Sequence, residues 1–246
     1  KITTIKKRFF IFKIYKFIIL LNICMRSKFT QWTIDRILGT EVIDTEWLYL
    51  MDIEEYMHPE LYENILDELS TFNGWGSTEI DGRKPYHLGP EQHPTSIQIA
   101  RDDVWKNLEV CDAIASKMNL SHDVQLNEPL MWQDNNTNCI SDVHVDSPAY
   151  YYTYQHCIAT DDEFAHTGTK FWEVKCDYNK AIDEGYDPTF GEDSTEVKLG
   201  HQMPYVPNRA YILPRGSRAW HSCPDLTLEA DHMERTMVYM IATLQS

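Results

Sequence analysis

Paired cysteines and positive charge are the features that this 246-residue sequence most lacks. Its six cysteines include no C-x-x-C pair, which excludes zinc-ribbon spacing, and a chain of this length needs no disulfide staples. We therefore expect a reducing, cytoplasmic compartment. Hydrophobic residues make up 43% and charged residues 24% of the chain, which excludes wholesale disorder and fibrous repeats.

Lysine and arginine number 22 against 38 aspartate and glutamate residues, which gives a formal net charge of −16. A surface built to grip nucleic-acid phosphates needs clustered basic residues, so we expect no nucleic-acid partner. A local basic pocket for a small anion remains compatible with this balance. The length allows one domain of generous size, or at most two small ones.

The first 24 residues differ in kind from the rest of the chain. They hold six basic residues and no acidic residue, so residues 25–246 carry a formal charge of −22. Lys13 and Lys16 interrupt the apolar run, which stays short of the roughly 20 apolar residues of a membrane-spanning helix. Two interpretations of this 1–24 leader stay open: a signal or anchor, or sequence upstream of a true start at Met25. We leave the leader out of the fold, and expect no membrane contact unless it is a real anchor.

Helical periodicity marks the first part of the remaining chain. Two segments repeat apolar residues every three or four positions, which predicts amphipathic helices at about 60–72 and about 102–119. Between them, residues 73–98 are rich in Gly, Pro, His and Ser, which predicts a loop with a short strand at 96–100. We assign residues of about 25–124 to helical support.

After about residue 124 the sequence changes to short aromatic or β-branched segments between turn residues, a pattern typical of strands. The predicted strands are residues 126–133, 138–144, 149–158, 169–174, 208–213, 217–222 and 235–244. Because no helical pattern separates them, we expect a mainly β sandwich, barrel or jelly roll over about 125–246. The acid-rich residues 175–203 are expected to form a solvated loop, with a lid over a site as the alternative.

Two histidines and one aspartate form the strongest candidate metal site. His144 and Asp146 stand two residues apart at the end of a predicted strand, so their side chains point to the same face. His221 stands at the end of another predicted strand. Two histidines and one carboxylate can form a facial triad that binds ferrous iron and leaves three octahedral positions open. An isolated H-x-D tripeptide is weak evidence without further support.

Arg235 gives that support, because it opens the last predicted strand fourteen residues after His221. A guanidinium can make a two-pronged contact with a carboxylate. The last lysine of the chain is Lys198, so a carboxylate anchor on the terminal strands must be an arginine. The candidates are Arg209, Arg215, Arg218 and Arg235. Only Arg235 falls where a strand would carry it inward beside the metal.

The joint pattern His144-x-Asp146, His221 and Arg235 resembles that of the iron(II)- and 2-oxoglutarate-dependent oxygenase family. Residues 168–172 are similar to the family's Gly-Thr-x-Phe strand, and residues 206–213 to the strand before the distal histidine. Trp220 beside His221 resembles phage and marine-bacterial members, which are prolyl-hydroxylase-like. The resemblance covers about residues 126–246, half of the chain.

The resemblance implies a double-stranded β-helix (jelly-roll, cupin-like) core packed by N-terminal helices, in a single oxygenase domain over 25–246. It implies Fe(II) bound by His144, Asp146 and His221, and co-substrate 2-oxoglutarate with its distal carboxylate on Arg235. The implied enzyme is a dioxygenase that uses molecular oxygen to hydroxylate a C–H bond and releases succinate and CO2. We expect a small-molecule or peptidyl substrate, and a monomer or homodimer.

Three tyrosines are candidates for a further co-substrate contact. Tyr150, Tyr152 and Tyr154 alternate along a predicted strand, so we expect them to share one face and one of them to hydrogen-bond the 2-oxoglutarate carboxylate. Ordinary packing inside the barrel is the alternative. The loops at 73–98 and 175–203 are expected to flank the barrel mouth and to contribute to substrate specificity.

Some positions depart from branches of the family. Met237 replaces the serine that follows the arginine by two residues in the plant-type branch. Ile241 stands where the nucleic-acid-demethylating branch has a second arginine, which agrees with the acidic composition. Collagen-type prolyl hydroxylases have a lysine in place of Arg235, which weakens the case for a peptidyl-prolyl substrate.

Two other classes of function stay open. A metal-dependent hydrolase on the same barrel would need no arginine at position 235 and would be indifferent to 2-oxoglutarate. A non-catalytic metal-binding or structural β-barrel would have no catalytic activity. This class predicts that the two histidines and the aspartate do not converge, or that metal is absent. Fold alone does not separate these classes, because such barrels host many functions.

Overall fold

Two antiparallel β-sheets and one layer of helices make up the structure, which is a computed structural model. It describes residues 26–75, 83–88, 93–134, 142–147, 149–185, 188–223 and 235–244. Most of the predicted strand at 138–144 and parts of the loop at 73–98 lie outside the described residues, as does the 1–24 leader. Among the described residues, no helix combines the length and the apolar content needed to cross a lipid bilayer.

The strands, in chain order, are β1 (Val42–Asp44), β2 (Tyr49–Ile53), β3 (Arg83–His87), β4 (Val124–Leu126), β5 (Leu130–Asp134), β6 (Tyr152–Cys157), β7 (Lys170–Val174), β8 (Val197–Gln202), β9 (Ala210–Pro214), β10 (His221–Ser222) and β11 (Arg235–Leu244). The larger sheet has the order β1-β2-β9-β6-β11-β5-β3, and β4 also pairs with β11. The smaller sheet has the order β10-β7-β8. All named pairs are antiparallel, and apart from β1–β2 and β7–β8 the paired strands are not consecutive in the chain, as in a jelly roll.

Side-chain alternation along β6 explains how the larger sheet separates two cores. Tyr152 and Tyr154 face a cluster that includes the helices, whereas Cys157 belongs to a cluster shared with the smaller sheet. In that second cluster the ring of Phe171 on β7 meets Tyr211 on β9 edge-on, with centroids 5.3 Å apart. The two sheets therefore face each other across one apolar core, and the helices from the first half of the chain cover the outer face of the larger sheet.

The helices, in chain order, are α1 (Lys28–Gly39), α2 (Pro59–Ser70), α3 (Thr95–Ala100), a π-helical turn (Arg101–Trp105), α4 (Leu108–Lys117), a 3-10 turn (Ala165–Thr167) and α5 (Tyr178–Asp183). The predicted helix at 60–72 is confirmed by α2. The single helix predicted at 102–119 is wrong, because the chain is divided at Lys106 and Asn107. The Asn107 side chain accepts hydrogen bonds from the amides of Glu109 and Val110 and so begins α4.

Two further predictions need correction. The segment 96–100, predicted as a strand, is helix α3, in which the Glu68 carboxylate accepts the amides of Ser96 and Ile97 at the helix N-terminus. The acid-rich residues 175–203 are not one solvated loop, because they contain α5 and strand β8, which pairs along β7. Sequence alone also missed α1 and the strands β1, β2 and β3.

The remaining strand predictions hold in outline. The segments 149–158, 169–174, 208–213 and 235–244 form β6, β7, β9 and β11 with small shifts at their ends. The segment 126–133 is divided between β4 and β5, and only the last two residues of 217–222 are paired as a strand. The mainly β jelly-roll class is confirmed, with the helical support on one side.

A buried histidine links the helices to the larger sheet. His156 is fully buried; its Nδ1 accepts a hydrogen bond from Trp105 Nε1 (3.1 Å), and its Nε2–H donates to Asn208 Oδ1 (3.0 Å). Asn208 is held in turn by the backbone of Met57, to which it donates through Nδ2 (2.7 Å). Both ring nitrogens of the neutral imidazole are thus satisfied. Burial lowers the pKa of His156 to about 4.

This burial predicts a pH-dependent loss of stability. The pKa of a histidine in the unfolded chain is near 6.5. Between pH 6.5 and 4 the unfolded chain therefore binds a proton at this position and the folded chain does not, so the free energy of unfolding falls as the pH falls. At pH 5 the contribution is about 2 kcal/mol. The free energy of unfolding, measured by urea denaturation, is expected to fall less from pH 7 to pH 5 in His156→Gln than in the wild-type protein. The difference is expected to be about 2 kcal/mol. The exposed-site control His122→Gln is expected to keep the wild-type fall; an unchanged fall in His156→Gln would contradict the assignment.

Candidate metal and co-substrate site

A short antiparallel bridge brings His144 and His221 together. The amide of each histidine donates to the carbonyl oxygen of the other, and both N–O distances are 2.9 Å. The two imidazole centroids lie 4.5 Å apart, at 48°. His221 is the first residue of β10 in the smaller sheet, and His144 pairs with it from outside the named strands. The backbone pairing therefore determines the separation of the two rings.

The hydrogen bonds of the rings leave one nitrogen of each histidine available. His144 Nδ1–H donates to the carbonyl oxygen of Asp142 (2.7 Å), and His221 Nδ1–H donates to that of Ala219 (2.9 Å). In this tautomer each Nε2 carries a lone pair, which is the arrangement of metal-binding histidines. Burial, and secondly the neighbouring His221, lower the pKa of His144, which favours the neutral form that a metal requires.

Asp146 completes the constellation. Its Oδ1 lies 3.7 Å from His221 Nε2, and the candidate ligand atoms of the two histidines and the aspartate all lie within 4.8 Å of one another. Two neutral imidazoles and one carboxylate on one side of an ion are the ligand set of a facial triad. The residues therefore fit a divalent transition metal, as the spacing of the sequence predicts.

A cavity of about 620 Å³ opens over this triad. Its floor is formed by facing residues of β5 and β11, where Trp132 pairs with Met237 and Leu130 with Tyr239. The rest of the described lining is mostly polar and comes from both sheets and their connections: Ser147, Tyr150, Gln155, Thr169, Thr189, Cys223 and others. The triad thus lines the same pocket as the largely apolar floor formed by β5 and β11.

Arg235 lies at the start of β11, on the face that also carries Met237 and Tyr239, and its side chain is almost wholly buried (1% exposed). Its Nη1 donates to the carbonyl oxygen of Thr167, and its guanidinium lies 5.8 Å from the ring centre of Tyr205. Arg235 is thus a buried positive charge two residues before Met237, which lines the cavity over the triad. This is the inward placement that the sequence predicts.

Gly168 explains why the segment next to Arg235 contains a glycine. A β-carbon at this position would lie 1.6 Å from the backbone oxygen of Met203, so no side chain fits. The close approach lets Thr167 present its carbonyl to Arg235 while Thr169 lines the cavity. The Gly-Thr-x-Phe resemblance noted at residues 168–171 thus has a steric cause.

Two polar side chains on the neighbouring strands β6 and β9, Gln155 and Tyr211, are buried. Gln155 Oε1 has no hydrogen-bond partner among the described residues, and the Gln155 side chain lines the cavity. The Tyr211 hydroxyl, on the neighbouring strand β9, is fully buried beside Thr169 and makes no hydrogen bond of normal geometry within the described chain. Buried polar atoms without partners are costly, so they indicate a place for a polar ligand or water.

Tyr152 and Tyr154 share one face of β6, as predicted, but the prediction that this face is the side of the co-substrate is wrong. Tyr152 and Tyr154 point away from the cavity into the helix-facing core, and only Tyr150, which precedes the strand, lines the cavity. The strand starts at Tyr152, so Thr153 and Gln155 are the members that face the site. Sequence reasoning missed these two; their signal was polar side chains alternating with the tyrosines.

The remaining arginine candidates are engaged elsewhere. Arg209 makes a two-pronged contact with Asp52, with both N–O distances 2.7 Å. Arg218 donates to Asp44, and Arg215 lies over the ring of Tyr178. These contacts lie outside the described lining of the cavity.

Only one part of the acid-rich segment reaches the cavity mouth. Thr189 lines the cavity, and the adjacent Phe190 pairs through two backbone hydrogen bonds with Val143, beside His144. Glu192 accepts a hydrogen bond from Ser222 (2.6 Å), next to His221. The described part of the loop at 73–98 contributes no residue to the lining. The lid alternative stays a prediction, and among the described residues of 175–203 only Thr189 lines the cavity.

Comparisons with known proteins find matches only at the level of structure. No protein-family model and no curated protein matches the sequence. A prolyl hydroxylase from Trichoplax adhaerens, solved with a hypoxia inducible factor peptide fragment, is 8% identical, with a TM-score of 0.51 over 87% of this chain and 88% of that chain. The double-stranded β-helix is the fold of this chain.

Two other solved structures share the fold. A prolyl 4-hydroxylase from Phytophthora capsici is 10% identical, with a TM-score of 0.54 over 89% of this chain and 66% of that chain. HygX from Streptomyces hygroscopicus, solved with nickel and 2-oxoglutarate, is 9% identical, with a TM-score of 0.50 over 80% and 83%. At these identities the likeness concerns the fold, and function must be argued from the site.

The triad predicts that a divalent ion stabilises the folded chain. A metal at a hundred times its Kd adds about 2.7 kcal/mol to the unfolding free energy, so Co(II) is expected to raise the midpoint of thermal unfolding. His221→Ala removes one ligand and is expected to abolish the rise, measured by differential scanning calorimetry. His122→Ala, an exposed histidine outside the triad, is the matched control and should keep it. A Co(II)-dependent rise that survives in His221→Ala would contradict the site.

Proposed function

We propose that this chain is an Fe(II)- and 2-oxoglutarate-dependent dioxygenase, a member of the oxygenase family whose fold it shares. The observation that carries the proposal is the convergence of His144, Asp146 and His221 in the lining of one cavity, together with Arg235, which is buried two residues before the cavity-lining Met237. Each of the three ligand residues offers the atom type that ferrous iron accepts.

The interior also fits a dicarboxylate co-substrate. Arg235 supplies a buried positive charge that matches a distal carboxylate, and its contacts with Thr167 and Tyr205 hold the guanidinium in place. Gln155 Oε1 and the Tyr211 hydroxyl, which have no hydrogen-bond partner among the described residues, offer further polar contacts. Tyr150 is the remaining tyrosine candidate, at the cavity wall. We propose these residues in place of Tyr152 and Tyr154.

Bound iron and 2-oxoglutarate would supply the oxidising power: O2 is split, one oxygen atom enters the new carboxylate of succinate as 2-oxoglutarate loses CO2, and the other enters a substrate C–H bond to give a hydroxyl group. The residues of the chain bind, orient and shield. The Nε2 atoms of the histidines and Asp146 Oδ1 would hold the metal, while Arg235 would balance the charge of the co-substrate. The apolar floor at Leu130 and Met237 limits water near the reacting centre.

The structure favours this reading over a purely structural barrel and over a hydrolase, and succinate formation separates it from a non-catalytic metal-binding barrel. A purely structural barrel predicts no convergence of the triad, whereas the three ligand atoms lie within 4.8 Å. A hydrolase on this barrel would need no buried arginine at position 235, whereas Arg235 is 1% exposed. For the substrate we propose a small molecule or peptide that reaches the metal through the cavity. A cytoplasmic location and a single domain over 25–246 remain predictions.

Anaerobic titration with Fe(II) and 2-oxoglutarate tests the proposal. Chelation of the ferrous ion by the 2-oxo acid is expected to give a weak visible charge-transfer band in the wild-type protein. Arg235→Gln removes a charge-assisted carboxylate contact and is expected to weaken 2-oxoglutarate binding roughly tenfold to a hundredfold, with Fe(II) affinity unchanged.

The matched control is Arg218→Gln, which removes an arginine that pairs with Asp44 at the surface and should leave the band intact. Succinate formation under oxygen gives a second readout, which should require both Fe(II) and 2-oxoglutarate. A wild-type protein that binds Fe(II) but shows no band with saturating 2-oxoglutarate would exclude the proposed function.

A further inference from the structure

The two oxygen atoms of Asp146 have different surroundings. Oδ1 faces His221 Nε2 at 3.7 Å, on the side of the candidate metal position. Oδ2 accepts two hydrogen bonds, one from Thr153 Oγ1 (3.0 Å) and one from the Tyr239 hydroxyl (3.2 Å). A carboxylate oxygen has two lone pairs for such contacts, so both are in use on Oδ2. The carboxylate is therefore oriented with one oxygen toward the histidines and the other turned away.

Both donors come from the larger sheet, whereas the aspartate does not. Thr153 on β6 and Tyr239 on β11 lie on neighbouring strands, in a register where Thr153 pairs with Ile241 and Gln155 with Tyr239. Their side chains point to the same face, and Thr153 is almost wholly buried (2% exposed). Asp146 lies outside any strand, just after the His144 bridge. The larger sheet thus holds the Asp146 side chain, while the Asp146 backbone is not part of a strand.

We propose that Thr153 and Tyr239 are positioning residues that hold Asp146 as a one-oxygen metal ligand. This inference rests on the proposed function, because it concerns the metal of the same site. A carboxylate that binds through one oxygen leaves three octahedral positions open, enough for a two-point chelate and oxygen. If Oδ2 also turned to the metal, one of these positions would be lost. Partners of this kind commonly change metal affinity tenfold to a hundredfold.

A hydroxyl-specific series tests the assignment by Mn(II) affinity, measured by isothermal titration calorimetry without 2-oxoglutarate. Thr153→Val keeps the branched shape and removes the donor, and Tyr239→Phe removes the other donor. Each is expected to weaken Mn(II) binding roughly tenfold. Thr153→Ser keeps a hydroxyl and is expected to bind within about threefold of wild type. Thr243→Val, at the far end of β11, is the matched control for a threonine change on the same sheet and should bind as wild type.

Wild-type affinity in both hydroxyl-removing variants, or an equal loss in Thr153→Ser, would overturn the proposal. Thermal unfolding of the metal-free variants checks that the folded state persists. Failure of the proposed function looks different: the wild-type protein itself would then bind no Mn(II), or would bind it without any response to 2-oxoglutarate.

The one-oxygen mode has its own readout in the water proton relaxation caused by bound Mn(II). Three open positions hold three waters in the wild-type protein. In the double variant Thr153→Val/Tyr239→Phe, we expect Oδ2 to replace one of them, so that relaxivity per bound ion falls by about one third. Unchanged relaxivity in the double variant would contradict the one-oxygen mode. A merely structural role for the two hydroxyls would not change the number of coordinated waters.

Discussion

Two backbone hydrogen bonds between His144 and His221 are the constraint on which the site depends. They join His144, which lies outside the named strands, to the first residue of β10. The preceding residue, Val143, forms a second isolated bridge with Phe190. A candidate ligand pair is thus positioned by main-chain atoms, which tolerate side-chain change nearby. Asp146 follows two residues later and receives its orientation from the larger sheet.

The sequence predicts the chemistry of the site better than its surroundings. His144, Asp146, His221 and Arg235 form a joint pattern in which ligand chemistry requires each residue type. The structure brings the first three together, and Arg235 is buried at the start of β11. Strand β11 was also predictable, because nine aromatic, apolar and β-branched positions follow Arg235 without a breaker. These features are local, or depend on residue identity alone.

The failures arise where tertiary context decides. The face of β6 depends on where the strand starts, and a shift of one residue exchanges Tyr152 and Tyr154 for Thr153 and Gln155. The helix expected at 102–119 is divided at Asn107, an N-cap residue whose signal is hidden inside an apolar repeat. Strand β8 is polar and exposed along most of its length, so only its pairing with β7 identifies it.

Polar burial in this barrel follows the needs of the site. Arg235, Gln155 and Tyr211 lie in the interior, where apolar residues would pack at lower cost, and two of them present oxygen atoms without partners in the described chain. Such local conflicts with core packing are expected at functional sites. By contrast, the buried His156 is fully satisfied by Trp105 and Asn208, as a structural residue should be. Buried polar groups that have hydrogen-bond partners thus belong to the scaffold, and those without partners among the described residues belong to the site.

Anomalous scattering from crystals grown with Mn(II) and 2-oxoglutarate tests the central claim most directly. The account predicts one Mn(II) peak within about 2.0–2.3 Å of His144 Nε2, Asp146 Oδ1 and His221 Nε2, with the distal carboxylate of 2-oxoglutarate on Arg235. A peak bound by other residues, or 2-oxoglutarate density away from the metal and from Arg235, would contradict it.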